Sequence, residues 1–159
     1  MEKTITTRGH PVFLQAPQFT LEDQFRENHT VSFPRHRACV LLFADRESLN
    51  QIEGWVNLLF QRYKNAVDVC GIVLVNSVPD ILRPTVRFFY KQRIEHLILM
   101  DWDGSVSASY PCRPKEASVF VVDRSGQIVH IAYGEAEPSK FSEVCDFVNN
   151  LLKSTSTAM

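Results

Sequence analysis

No Cys-x-x-Cys pair occurs in the 159-residue chain, whose four cysteines, Cys39, Cys70, Cys112 and Cys145, lie far apart. That spacing excludes the usual dithiol redox motif and favours buried, reduced thiols that behave as small hydrophobes. The sequence also lacks a glycine-rich phosphate loop, a nucleophile elbow and a His-Glu-x-x-His helix, and its five histidines show no paired ligand spacing. No metal and no cofactor are therefore expected. Basic residues are in no surplus: the net charge is −1, which gives no reason to expect nucleic acid or an anionic membrane, although Arg35, His36 and Arg37 cluster. No apolar run reaches the 18 residues of a membrane span. The first ten residues contain no apolar stretch of the secretory kind, so a cytoplasmic protein is expected.

What is present is a soluble globular composition, with 45% hydrophobic and 22% charged residues, in a length suited to one domain. We expect flexible ends over 1–11 and 154–159 around a domain spanning 12–153. The chain is organised around residues 39–55. Cys39 to Ala44 reads as a buried strand running straight into a helix over about 46–63, with Leu49, Ile52, Val56, Leu59, Phe60 and Tyr63 along one stripe. Ser48 and Gln51 match the Ser-x-x-Gln capping pattern. An entry hairpin over 19–33, closed by Pro34, precedes that strand. Further strands follow at 67–75 and 96–100, separated by a helix ending near Arg93. After a turn at 101–104 and a short helix, a hairpin over 117–133 leads to a last helix over about 139–153. Strands alternating with helices and then a hairpin imply an α/β fold, a mixed central sheet flanked by helices.

Several stretches carry a family likeness. Ala16-Pro-Gln-Phe-Thr-Leu-Glu-Asp23, Val40-Leu-Leu-Phe43, Leu99-Met-Asp-Trp-Asp-Gly104 with Tyr110, and Val119-Phe-Val-Val-Asp-Arg-Ser-Gly-Gln-Ile-Val129 with Gly134 occur in that order. Together they resemble the thioredoxin-like proteins of the peroxiredoxin (alkyl hydroperoxide reductase) and TlpA/ResA type over roughly residues 16–152. The resemblance implies a thioredoxin-like fold with an N-terminal β-hairpin. It also marks where thiol chemistry would sit. A gap-free overlay puts Ser48 and Gln51 at the two cysteines of the family's Cys-x-x-Cys, and Ala117 at its cis-proline. Both halves of the family's redox site are thus replaced. A serine hydroxyl is far too weak an acid for the field of a helix N-terminus to activate it as it would a thiol.

Two readings follow. In the first, the chain is a redox-inactive binding or regulatory module with a protein partner, and its groove is built from Asp45, Arg46, Ser48, Trp102, Arg113 and Ala117; self-association is compatible with it. In the second, Cys112 acts alone as the thiol of an oxidoreductase or peroxidase, activated by Arg113 and Lys115. The bland reading of Cys112 is a loop thiol turned into the end of the sheet, and it is preferred. Asp101 and Asp103 suggest a calcium loop only faintly, because position twelve is Cys112 where glutamate is required. Trp55, Trp102 and Tyr110 are offered either to an aromatic surface or to the core.

Overall fold

The computed structural model describes residues 14–157, with the side chains of 155–157 left aside. Eight strands, numbered in chain order as β1 (Leu14–Gln15), β2 (Phe19–Asp23), β3 (Asn28–Val31), β4 (Cys39–Ala44), β5 (Asp68–Leu74), β6 (Ile98–Asp101), β7 (Ser118–Val122) and β8 (Gln127–Tyr133), form one sheet in the order β1-β8-β7-β4-β5-β6-β2-β3. At its centre lie β4 (Cys39–Ala44) and β7 (Ser118–Val122), buried along their whole lengths and paired antiparallel. Such uninterrupted apolar runs require cover on both faces, and both are covered. Val40, Leu42 and Ala44 face one layer with α1 (Leu49–Tyr63), α2 (Arg83–Arg93) and α4 (Pro138–Thr157). Cys39, Leu41 and Phe43 face a smaller core containing Leu14, Val31, Val106 and Tyr110.

β4, β5 (Asp68–Leu74) and β6 (Ile98–Asp101) are parallel neighbours joined through α1 and α2. Successive crossovers in one direction with one hand place both helices on the same face. The entry hairpin, β2 (Phe19–Asp23) with β3 (Asn28–Val31), docks antiparallel on β6. Its turn is held by Asp23, whose Oδ1 accepts the N–H groups of Phe25 at 2.7 Å and Glu27 at 3.0 Å. β8 (Gln127–Tyr133) completes the second hairpin, and the two-residue strand β1 (Leu14–Gln15) pairs along its outer edge. Gly126 in that turn has φ of +102°, and a Cβ there would meet the Phe33 ring at 2.8 Å, so both backbone conformation and space favour glycine.

The expected elements are therefore present, with shifted ends. α1 starts at Leu49, not near 46, because residues 45–48 form a separate turn. A 3-10 turn (Asp80–Leu82) precedes α2, consistent with Pro84 tolerating only a first helical turn. α4 continues to Thr157, so most of the expected C-terminal tail is helical, while residues 1–11 and 158–159 lie outside the described residues. Trp55 and Tyr110 belong to the core: Trp55 is 0% exposed and Tyr110 is buried.

Candidate functional site

The C-terminal end of β4 delivers Asp45 to the head of α1, and this carboxylate dominates the local geometry. Its Oδ1 accepts the N–H groups of Glu47 and Ser48, each at 3.0 Å, and the Ser48 hydroxyl at 2.9 Å. The Ser48 Oγ in turn accepts the Asp45 N–H at 3.0 Å. Ser48 is 0% exposed and makes no side-chain cap to the helix, so the Ser-x-x-Gln capping box read from the sequence does not form. The reason is competition: an ionised carboxylate three residues upstream is the stronger acceptor and draws the serine to itself. Burial works against ionisation of Asp45, but the Lys115 N–H and the hydroxyl and N–H of Ser48 outweigh it and hold the group below the usual carboxylate range.

Two further bonds fasten α1 to the loop before β7. Asp45 Oδ2 accepts the Lys115 N–H at 2.7 Å, and Gln51 Oε1 accepts the Ala117 N–H at 2.9 Å. Lys115 sits at a φ of +66°. Phe33–Pro34 is the cis peptide found among the described residues, so the bond before Ala117 is trans, as expected for a non-proline residue. Ala117 is 0% exposed. Ser48, Gln51 and Ala117 are thus brought together, but as a closed seam. An extended polypeptide entering between the helix and the loop would find the N–H groups of 115 and 117 already satisfied.

The open space lies beside the seam. A cleft of about 310 Å³ is lined by Asp45, Asn76, Ser107, Cys112, Arg113 and Glu116, among others. Two of the predicted groove residues, Asp45 and Arg113, line it, but Arg113 is turned toward Tyr133, with its guanidinium 3.8 Å from the ring centroid. Arg46 lies instead in a groove between α1 and α2. Trp102 is half-buried under Arg83 and Arg87, whose guanidinium carbons stand 4.9 and 5.2 Å from its ring. The groove drawn from the sequence is therefore divided among four places, since Ser48 and Ala117 stay in the closed seam. Asn76 and Glu116 were missed, because nothing in their sequence context distinguishes a cleft wall from an ordinary turn.

Cys112 also lines the cleft, yet its environment opposes activation. Burial pushes the thiol up to about 12, although a hydrogen bond with Ser118 acts in the opposite direction. The same cause pushes Cys39 and Cys70 up to about 12. All four cysteines are free. No cluster of three or more His, Cys, Asp or Glu side chains suited to a metal exists among the described residues. Asp101 and Asp103 have structural work: Asp101 Oδ2 accepts the Ser107 N–H at 2.7 Å, and Asp103 Oδ1 accepts the Ser105 N–H at 2.9 Å, fixing the short helix α3 (Ser105–Ser109).

This architecture is the thioredoxin-like fold, and solved structures of that kind superimpose on most of the chain. A protein described as the thiol:disulfide interchange protein DsbE of Chlorobium tepidum matches with a TM-score of 0.68 at 20% identity, covering 87% of this chain and 95% of that one. A protein described as a disulfide isomerase of Bacteroides thetaiotaomicron gives 0.64 at 19% identity, covering 87% and 88%. The exposed lipoprotein thioredoxin Etrx1 of Streptococcus pneumoniae gives 0.62 at 15% identity, covering 80% and 97%. No family model and no curated protein sequence matches the chain. At these identities the likeness establishes the fold. No helix among the described residues is long and apolar enough to cross a membrane.

Proposed function

We propose that the chain is a thioredoxin-like domain without thiol–disulfide chemistry, acting as a protein-binding or regulatory module. The observation that carries this reading is the occupation of the α1 head. Ser48 and Gln51 stand where the resemblance places the redox pair, and both are engaged in fastening α1 to its surroundings. A nucleophile needs access and a low pKa, and a fully buried hydroxyl has neither. The cleft beside the seam, with Asp45, Asn76, Arg113 and Glu116 on its walls, offers a polar recognition surface next to apolar floor residues such as Phe43 and Leu74. Four unpaired cysteines fit a reducing compartment such as the cytoplasm.

A second reading, a thiol-dependent oxidoreductase or peroxidase of peroxiredoxin type, rests on Cys112 lining that cleft. Its cost is chemical. Burial favours the neutral thiol of Cys112, whereas the thiolate is the nucleophile. The two readings separate in one experiment. With a chromogenic disulfide in native buffer, all four cysteines are expected to label slowly, and neither peroxide nor insulin should be reduced catalytically. A single fast thiol that vanishes in Cys112→Ser, accompanied by turnover, would reverse the assignment.

A further inference from the structure

Among the described residues, a run of exposed apolar side chains lies along the 3-10 turn and the helix that follows it. Along the 3-10 turn and α2, Ile81 is 84% exposed, Leu82 49%, Phe88 61% and Phe89 48%. Residues of this size seldom stand together in water without a partner. Phe89 also walls a groove of about 430 Å³ between α1 and α2, floored by Leu49, Val78 and Val86, with Arg46 at its edge. Arg46 makes no ion pair among the described residues, and its charge, like that of Arg93, is felt at the buried Tyr90 hydroxyl.

We infer that this groove and its aromatic rim receive an acidic amphipathic helix from a protein partner, with apolar side chains entering between α1 and α2 and a carboxylate meeting Arg46. The charge pattern selects this occupant. α2 carries Arg83, Arg87, Lys91 and Arg93 and no acidic residue. A second copy seated here about a two-fold axis would set concave groove against concave groove and Arg46 against its own equivalent. A bilayer is flat and cannot follow a concave groove to Val86, and three of the four cations are already matched by Asp80, Glu22 and Glu53. A helix with carboxylates beside its apolar stripe satisfies both the groove and the unmatched charge. The inference rests on the binding-module reading only in kind: its groove adjoins the cleft through the shared Leu74, but Ser48, Gln51 and Ala117 of the seam do not line it.

The test uses the full chain and a displayed random peptide library of about 16 residues, long enough for about four helical turns. Selected binders are expected to carry Asp or Glu beside apolar residues at helical spacing, and to lose about tenfold or more in affinity against Phe89→Ala and against Arg46→Glu. Arg46→Glu should in turn favour peptides bearing Lys. Both positions are solvent-accessible, and unchanged circular dichroism would establish that the variants fold. The proposal is overturned if no peptide is enriched, or if binders lack acidic residues or ignore both substitutions. It is equally overturned if sedimentation velocity shows a dimer that dissolves on Phe88→Asp, or if vesicles of phosphatidylcholine and phosphatidylserine bind the chain through the same residue. Insulin and peroxide assays on the same samples report separately: turnover with peptide binding intact would defeat the binding-module reading and leave this site standing.

Discussion

Replacing Trp55 with alanine is expected to lower the free energy of unfolding by about 3–5 kcal/mol, the range for removing a large buried aromatic. The indole is fully buried among residues of α1, β4 and α4, with its ring centroid 6.1 Å from that of Phe141. Its Nε1–H donates to the Gly134 carbonyl at 2.8 Å, so the substitution also leaves a buried acceptor without its donor. The damage should reach the seam, because the Gly134 N–H donates to the Ala117 carbonyl at 2.8 Å and Ala117 is held by Gln51. Trp55→Phe keeps most of the volume and loses the bond, so it should fall between wild type and alanine. Urea denaturation with an unchanged m-value would give the ranking, and amide exchange at Gly134 would report the spread to the loop. A loss below about 1 kcal/mol for Trp55→Ala would mean that the indole does not organise this layer.

Trp55 also illustrates what the sequence made legible. Of the stripe Leu49, Ile52, Val56, Leu59, Phe60 and Tyr63, all but the half-buried Phe60 are buried as expected, but Trp55 lies beside it and is buried too. A helix covered by a sheet and by α4 buries a face wider than one stripe, and that width depends on tertiary packing. The strands β4, β5 and β7 were readable because continuous apolar runs have few alternatives. β1 was not, since two residues carry no periodicity. At the α1 head, Asp45 and Ser48 were recognisable as capping types, but their choice of each other over the helix was not. The second tie of the same carboxylate, to the Lys115 N–H, comes from 70 residues away and leaves no local trace. The two exposed phenylalanines of α2 left a fainter trace: in Phe88-Phe89-Tyr90 consecutive residues point about 100° apart, so one helix face cannot bury all three.

Replacing Asp45 with alanine is expected to cost about 2–4 kcal/mol, more than an ordinary cap, because one carboxylate serves two segments. Its loss leaves the N–H groups of Glu47 and Lys115 without their acceptor, leaves the Ser48 N–H only the residue-45 carbonyl at 3.2 Å, and deprives the Ser48 hydroxyl of its acceptor. Asp45→Asn retains one oxygen and most of the shape, so it should cost less. The pH dependence distinguishes charge from shape. The folded-state pKa of Asp45 is depressed, so its contribution is present above the unfolded value of about 3.9 and is lost as pH falls through the folded value. Unfolding midpoints in urea should therefore converge for wild type and Asp45→Asn on acidification below about pH 4. Asp23 supplies a parallel acid-sensitive slope in both proteins: burial opposes its ionisation, but His29 and the N–H groups of Glu27 and Phe25 prevail and lower its pKa. The comparison is thus made on the difference between the two curves. A difference independent of pH would show that the carboxylate acts at the α1 head by shape alone. The seam would then be a packing contact, and the electrostatic account of why Ser48 turns away from its helix would fail.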